Sequence, residues 1–185
     1  MMNLDELSIK YDNEKGAPWH DYMIEYEKYL APLRDKEIVL LELGIGLGVS
    51  LKIWKEYFTK GIIHGIDLGE KCREYAEPRV FVHIGRQEDI PFLESVCNVF
   101  DTGFDVIIDD GSHRFHHQLV SLSYLLPHLQ VGGYYFIEDL SLVNLEYKIE
   151  AFRHVTTLWS GKEFKVLPVY YGKKKEQLWG VVRVG

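Results

Sequence analysis

Five short apolar runs recur along the chain, at residues 38–43, 61–66, 80–84, 104–108 and 134–137, with amphipathic stretches between them. Strands buried on both faces of a parallel sheet read as such unbroken runs, not as alternating ones. The stretches at 19–33, 50–58, 90–98, 115–126 and 143–157 carry apolar residues at helical spacing. In 19–33 these are Tyr22, Ile24, Tyr26, Tyr29, Leu30 and Leu33, with Pro32 near the end. Alternation of this kind demands a mainly parallel sheet with right-handed crossovers and helices on both faces. Residues 164–170 and 178–184 flank a turn at 172–176 and read as an antiparallel hairpin. The expected architecture is α/β, with a mainly parallel seven-stranded sheet whose last strand is antiparallel. Residues 1–18 read as irregular, with Gly16 and Pro18 as breakers, and residues 127–133 as the turn into the fifth strand.

With 185 residues the chain holds one domain with a full core. No apolar run approaches the length of a membrane span. The polar, acidic start Met1-Met2-Asn3-Leu4-Asp5-Glu6 is unlike a secretory leader. Cys72 and Cys97 fit no metal or redox spacing, so reduced thiols and a cytoplasmic location are expected. The net charge of -7 argues against nonspecific nucleic-acid binding. Lys173-Lys174-Lys175, the one basic run, reads as a solvated turn.

The first apolar run closes on Glu42-Leu43-Gly44-Ile45-Gly46-Leu47-Gly48 and opens a helix. Glycines there let the backbone turn tightly and approach a ligand closely. Asp67 ends the next run, where a carboxylate can accept both hydroxyls of a ribose. The last glycine of a dinucleotide GxGxxG is absent, and so is the GK[ST] of a phosphate-binding loop.

Two later runs end in paired acids, one in Asp109-Asp110-Gly111-Ser112-His113 and the other in Glu138-Asp139. Open α/β sheets bind ligands just beyond the carboxyl ends of their strands. If these strands are neighbours, several carboxylates and a histidine share one crevice. Ionised carboxylates so close repel, and a hard divalent cation with oxygen ligands relieves the repulsion. A neighbouring histidine can then act as general base. Purely structural alternatives stay open: Asp110 as the cap of a turn, and Glu138 and Asp139 as caps of a following helix. His113, His116 and His117 have a spacing that zinc also uses, although no cysteine joins them.

The E-x-G-x-G-x-G loop with an acid after the second strand resembles the class I S-adenosylmethionine-dependent methyltransferases, which have a Rossmann-like fold. In that family Glu42 would face the methionine end, Gly44, Gly46 and Gly48 would cradle the cofactor, and Asp67 would hold the ribose. Ile-Ile-Asp-Asp-Gly-Ser-His and Gly-Gly-Tyr-Tyr-Phe-Ile-Glu-Asp-Leu look like the metal-dependent macrocin and mycinamicin sugar O-methyltransferases. Trp19-His20-Asp21-Tyr22, Trp54-Lys55-Glu56-Tyr57-Phe58 and Pro127-His128-Leu129 extend the likeness from about residue 10 to the end. Carried over by position, the resemblance implies Asp110, Glu138 and Asp139 as ligands of magnesium or a similar divalent ion and His113 as the base. Asp109 is expected on the cofactor side, with a second metal ligand as the alternative, and Gln87 or Glu88 near the adenine, with Arg86 standing where relatives have an acid. The expected activity is methyl transfer from S-adenosylmethionine to a hydroxyl, on a sugar of a small natural product or glycan. A catechol or other small acceptor, and a cofactor-binding domain without turnover, are the alternatives.

A sugar hydroxyl is a poor nucleophile at neutral pH, so coordination to a divalent ion and a neutral imidazole nearby suit this chemistry. Residues 1–33 are expected to form a lid or helix segment and residues 34–185 the core. The chain is expected to lack the extra N-terminal domain of larger relatives, so part of the substrate wall is expected from elsewhere. Candidate substrate walls are residues 11–22, with Tyr11, Trp19, His20 and Tyr22, and residues 141–160, with Tyr147, Phe152 and Trp159. Relatives suggest a homo-oligomer, with neither nucleic acid nor membrane as partner.

Overall fold

The computed structural model describes residues 1–16, 20–99, 102–171 and 176–185. The five apolar runs form parallel strands: β1 (Val39–Leu43), β2 (Ile62–Asp67), β3 (Val80–Ile84), β4 (Phe104–Asp109) and β5 (Leu129–Ser141). Three further strands, β6 (Phe164–Val166), β7 (Tyr170–Tyr171) and β8 (Glu176–Arg183), complete the sheet, with β8 antiparallel to β5. The order is β3-β2-β1-β4-β5-β8-β6, with β7 also paired to β8. Strand order reverses between β1 and β4, where Leu43 pairs with Asp109, and ligand crevices open at such points.

Among the described residues six α-helices surround the sheet: α1 (Leu4–Lys10), α2 (Tyr22–Leu30), α3 (Val49–Tyr57), α4 (Ile90–Cys97), α5 (Phe115–Leu125) and α6 (Leu145–Thr157). Successive side chains of a strand point to opposite faces, so each strand serves two cores. Leu40, Val106, Ile108 and Phe136 pack with Leu4, Tyr26 and Trp54 of α1, α2 and α3. Leu41, Leu43, Ile107 and Tyr135 pack on the other face with Leu93, Leu122 and Phe152 of α4, α5 and α6. No helix among the described residues is long and apolar enough to cross a membrane.

The mainly parallel α/β sheet matches the sequence expectation, with four local differences. Residues 4–10 form a helix where irregular chain is expected. The Asn3 side chain accepts from the Glu6 amide at 2.8 Å, and the Glu6 carboxylate accepts from the Asn3 amide at 2.8 Å. This reciprocal cap starts a helix whose Leu4 and Leu7 are buried. The second helix begins at Tyr22, not at 19. Strand β5 starts at Leu129, paired with Phe104, inside the stretch read as a turn. The first arm of the hairpin is split into β6 and β7 around Pro168, which has no amide proton for the ladder. The lysine run and residues 172–175 of the turn expected at 172–176 fall outside the described residues, as do Pro18 and Trp19, and β8 already begins at Glu176.

Glu138 and Asp139 do not end their strand. They sit in an irregularity of β5, where pairing with β8 shifts register between Ile137 and Leu140. Asp139 takes a left-handed conformation there, with φ 56°. An extra residue in one strand re-aims the side chains around it.

Candidate active site

The loop after β1 fixes the floor of the crevice. Gly44 has φ 82°, and a Cβ there would lie 2.2 Å from the Asp110 carbonyl oxygen. The Asp110 amide in turn donates to Leu43 at 2.9 Å, so the loops after β1 and β4 touch through backbone. One oxygen of Asp67 accepts from the amides of Ile45 and Gly46 at 3.1 and 3.0 Å, and the other from Gly69 at 2.9 Å. Burial pushes the Asp67 carboxyl up, and these amides outweigh it and hold the group below its usual value.

Two cavities meet at this floor. One, of about 580 Å³, is lined by Lys15, Tyr22, Ser50, His113, Glu138 and Asp139 among others. The second, of about 490 Å³, is lined by Arg86, Gln87, Glu88, Ser112 and His117 among others. Gly44, Asp67 and Gly111 line both, so they form one elongated crevice with Asp67 at its waist.

The loop after β4 and the irregularity within β5 bring Asp110, His113 and Asp139 together, with donor atoms within 4.8 Å of one another. His113 Nε2 lies 4.0 Å from Asp110 Oδ1 and 3.8 Å from Asp139 Oδ2. Like Asp139, His113 is left-handed, with φ 55°. Each such non-glycine residue costs on the order of 1 kcal/mol, and strain of this kind gathers at functional sites. Tyr22 donates to Asp139 at 3.0 Å, and Gln118 donates to the Glu138 carbonyl at 3.3 Å, which steadies the irregularity.

Glu138 lies deeper, 1% exposed, and is not one of that trio. Its Oε1 accepts from Tyr26 at 2.6 Å and from Lys15 Nζ at 2.8 Å. Lys15 Nζ also lies 2.6 Å from Asp110 Oδ2 and 3.1 Å from Glu42 Oε1, so one ammonium joins three carboxylates. Burial would push the lysine down, and the charges of Asp110, Glu138 and Glu42 hold it well above its ordinary value. Burial raises Asp110 to about 6, against the pull of Lys15. Burial also raises Glu138 well above the usual carboxylate range, and the charge of Asp110 adds to it. Removing one partner of such a buried group costs about 3–5 kcal/mol.

Glu42 is fully buried, with Ser50 donating to its Oε2 at 2.7 Å, so it reaches the cavity through Ser50 and Lys15. Asp109 is likewise fully buried. Gln87 Nε2 donates to its oxygens at 2.9 and 3.1 Å, and Ser121 donates at 2.5 Å. Burial raises its carboxyl. The same Gln87 accepts from the Ser112 amide at 2.7 Å, which ties β4 and the loop after it to the residues following β3. Asp109 and Gln87 therefore hold each other, and of the two only Gln87 lines the crevice. Gly46 lines the larger cavity, and Gly48 turns the chain into α3 with φ 71°.

His117 Nδ1 lies 3.0 Å from Ser112 Oγ and 3.5 Å from Glu88, in the second cavity. His116 is exposed and lines neither cavity. Of the expected walls, His20 and Tyr22 line the larger cavity, whereas Tyr11 donates to Glu56 at 2.6 Å away from it. No residue of 141–160 lines that cavity. Phe152 is core, packed 5.3 Å from the Trp179 ring, and Tyr147 and Trp159 are exposed. Lys15, Tyr26 and Ser50 are functional candidates that sequence reasoning missed, because no local pattern marks a lysine that reaches across the fold.

No family model matches the chain. It is 40% identical over 144 residues to L-olivosyl-oleandolide 3-O-methyltransferase of Streptomyces antibioticus, covering 74% of this chain and 36% of that protein. It is 36% identical over 141 residues to 8-demethyl-8-alpha-L-rhamnosyl tetracenomycin-C 2'-O-methyltransferase of Streptomyces olivaceus, covering 72% and 36%. The mycinamicin VI 2''-O-methyltransferase of Micromonospora griseorubida is 34% identical over 145 residues, covering 75% and 36%. The chain thus spans about a third of the length of the curated relatives it matches. Among solved structures, the MycE methyltransferase of the mycinamycin biosynthetic pathway in complex with Mg and SAH superimposes with a TM-score of 0.78 at 26% identity, covering 99% of this chain and 55% of that one. A Bacillus cereus O-methyltransferase in complex with SAH, at 15% identity and a TM-score of 0.64, shares the fold over 97% of this chain and 90% of its own.

Proposed function

The chain is related in sequence and fold to O-methyltransferases acting on the sugars of macrolide and tetracenomycin antibiotics, and on that premise we propose that it transfers a methyl group from S-adenosylmethionine to a sugar hydroxyl. The acceptor is a small glycosylated natural product or glycan. The observation that carries this reading is the meeting of the two cavities at Gly44, Asp67 and Gly111, with His113 and Asp139 on the wall of one of them.

An elongated cofactor with its ribose at Asp67 places adenine beside Gln87 and Glu88 and the methionine end beside Ser50 and Lys15. In this reading Glu42, Gly44, Gly46, Gly48, Asp67, Gln87 and Asp109 form the cofactor site, Glu42 and Asp109 acting through the side chains they hold. The sulfonium methyl is already activated, so these residues have mainly to align it with the acceptor oxygen. Asp110, Glu138 and Asp139 are the proposed metal ligands. Their oxygens suit a hard ion such as magnesium, which would lower the hydroxyl pKa and fix its oxygen. His113, partly exposed and facing the cavity, takes the hydroxyl proton at Nε2. Residues 34–185 form the catalytic core and residues 1–33 the segment that closes it. The reading also takes the protein as cytoplasmic and self-associating, with no nucleic-acid or membrane partner.

The test is calorimetric titration with S-adenosylmethionine, then mass spectrometry of deoxysugar glycosides and a catechol control with and without chelator. Methylation of a glycoside that chelator abolishes is expected. His113→Ala should lower the rate about 10²–10⁴-fold while cofactor affinity survives. A rate indifferent to chelator, or a His113→Ala variant at full rate, contradicts the mechanism.

A further inference from the structure

Glu138 and Asp110 share a cation that the chain itself supplies. Lys15 Nζ sits 2.6 Å from Asp110 Oδ2 and 2.8 Å from Glu138 Oε1. A magnesium ion lies about 2.0–2.1 Å from its oxygen ligands. If it were held through Asp110 Oδ2 and Glu138 Oε1, it would need the space that the ammonium fills. Two cations crowded there repel, and neither can be screened by water in a pocket where the lysine side chain is 7% exposed and Glu138 2%.

The lysine is built into place. Its amide donates to the Asn13 side chain at 2.9 Å, and its carbonyl accepts from the Met23 amide at 3.1 Å. Asn13 is held in turn by Ser8 of α1, whose hydroxyl donates to the Asn13 carbonyl at 2.9 Å and whose carbonyl accepts the Asn13 amide at 2.9 Å. Asp12, Asn13 and Glu14 of this stretch line the larger cavity beside Lys15. The side chain that reaches the acids thus belongs to a segment forming part of the cavity wall.

We propose that Lys15 and a divalent cation exclude one another at Asp110 and Glu138, so that loading the metal expels the Lys15 ammonium and rearranges residues 12–16. The inference rests on the metal reading above and adds a coupling to it. Occupation of the acid cluster and the position of one cavity wall become a single equilibrium, because one element has two arrangements biased by the ion. The lysine also keeps buried carboxylates neutralised when it occupies the cluster, which an uncompensated group of acids does not achieve.

Two measurements test this, each with Mg²⁺ alone as the probe. Lys15→Met removes the competitor and keeps an unbranched apolar stem. Its Mg²⁺ affinity by calorimetry should be at least about tenfold tighter than wild type, whereas Lys15→Arg, which keeps the charge, should stay near wild type. In the wild-type protein, Mg²⁺ should speed hydrogen exchange at the amides of Asn13, Lys15 and Met23. Unchanged or weaker affinity in a folded Lys15→Met, or exchange at those amides indifferent to a saturating Mg²⁺ concentration, overturns the proposal and leaves the metal site standing. Absence of Mg²⁺ binding in both proteins overturns the metal reading and this proposal with it.

Discussion

Gly44→Ala isolates the contact that joins the two halves of the crevice. The residue has φ 82°, and an alanine held there pays about 1–2 kcal/mol for its left-handed backbone. Its new Cβ would also lie 2.2 Å from the Asp110 carbonyl oxygen and 2.6 Å from Gly111 Cα. These neighbours are backbone, so no side chain can swing aside. Overpacking of this kind adds about 1–3 kcal/mol, for a total of about 2–5 kcal/mol. Gly46→Ala is the matched control: its φ is 46°, and nothing lies within 4 Å of the Cβ position. It should lose only the conformational part, about 1–2 kcal/mol. Urea unfolding of the two variants with equal m-values gives the difference directly. The displaced Asp110–Gly111 backbone also carries Asp67's opposite wall and leads to His113, so S-adenosylmethionine affinity should fall in Gly44→Ala. Equal stability of the two variants, or full cofactor affinity in Gly44→Ala, refutes the claim that this contact sets the crevice.

Asp109→Ala leaves the donors of Gln87 and Ser121 without their buried acceptor and should cost about 3 kcal/mol in urea unfolding; a variant as stable as wild type would show that this network does not brace the loop. The pH dependence of the acid cluster follows from Asp110, whose carboxyl burial raises from 3.8 to about 6. The folded chain then holds this proton more tightly than the unfolded chain, so the group's contribution to stability is complete below about pH 4 and is lost as pH rises through about 6. Metal ligands must be deprotonated, so Mg²⁺ affinity should weaken as pH falls below about 6. Calorimetry at pH 5 and pH 7.5 checks this, and equal affinities at the two values would count against Asp110 as a ligand.

Much of the fold can be read locally. The spacing of apolar residues places β1 to β4 and the helices between them within a residue or two, because burial on both sheet faces imposes unbroken runs wherever the strand lies. The glycine loop, Asp67 and the Asp110–His113 turn follow from the rule that ligands gather at the carboxyl ends of parallel strands. The cap at Asn3 and Glu6 was equally local, and it marks a helix that the breakers Gly16 and Pro18 obscured.

What the sequence by itself determined is the α/β architecture and the placing of Asp67, Asp110 and His113 at the carboxyl ends of their strands, since both come from patterns within single strands and loops. Tertiary structure alone decided the rest. It turned Asp109 and Gln87 toward each other, re-aimed Asp139 through an irregular pairing with β8, and brought Lys15 to Glu138 from 123 residues away. Such contacts depend on where distant segments pack, and the free energy of a buried charge is set by neighbours that no local spacing encodes.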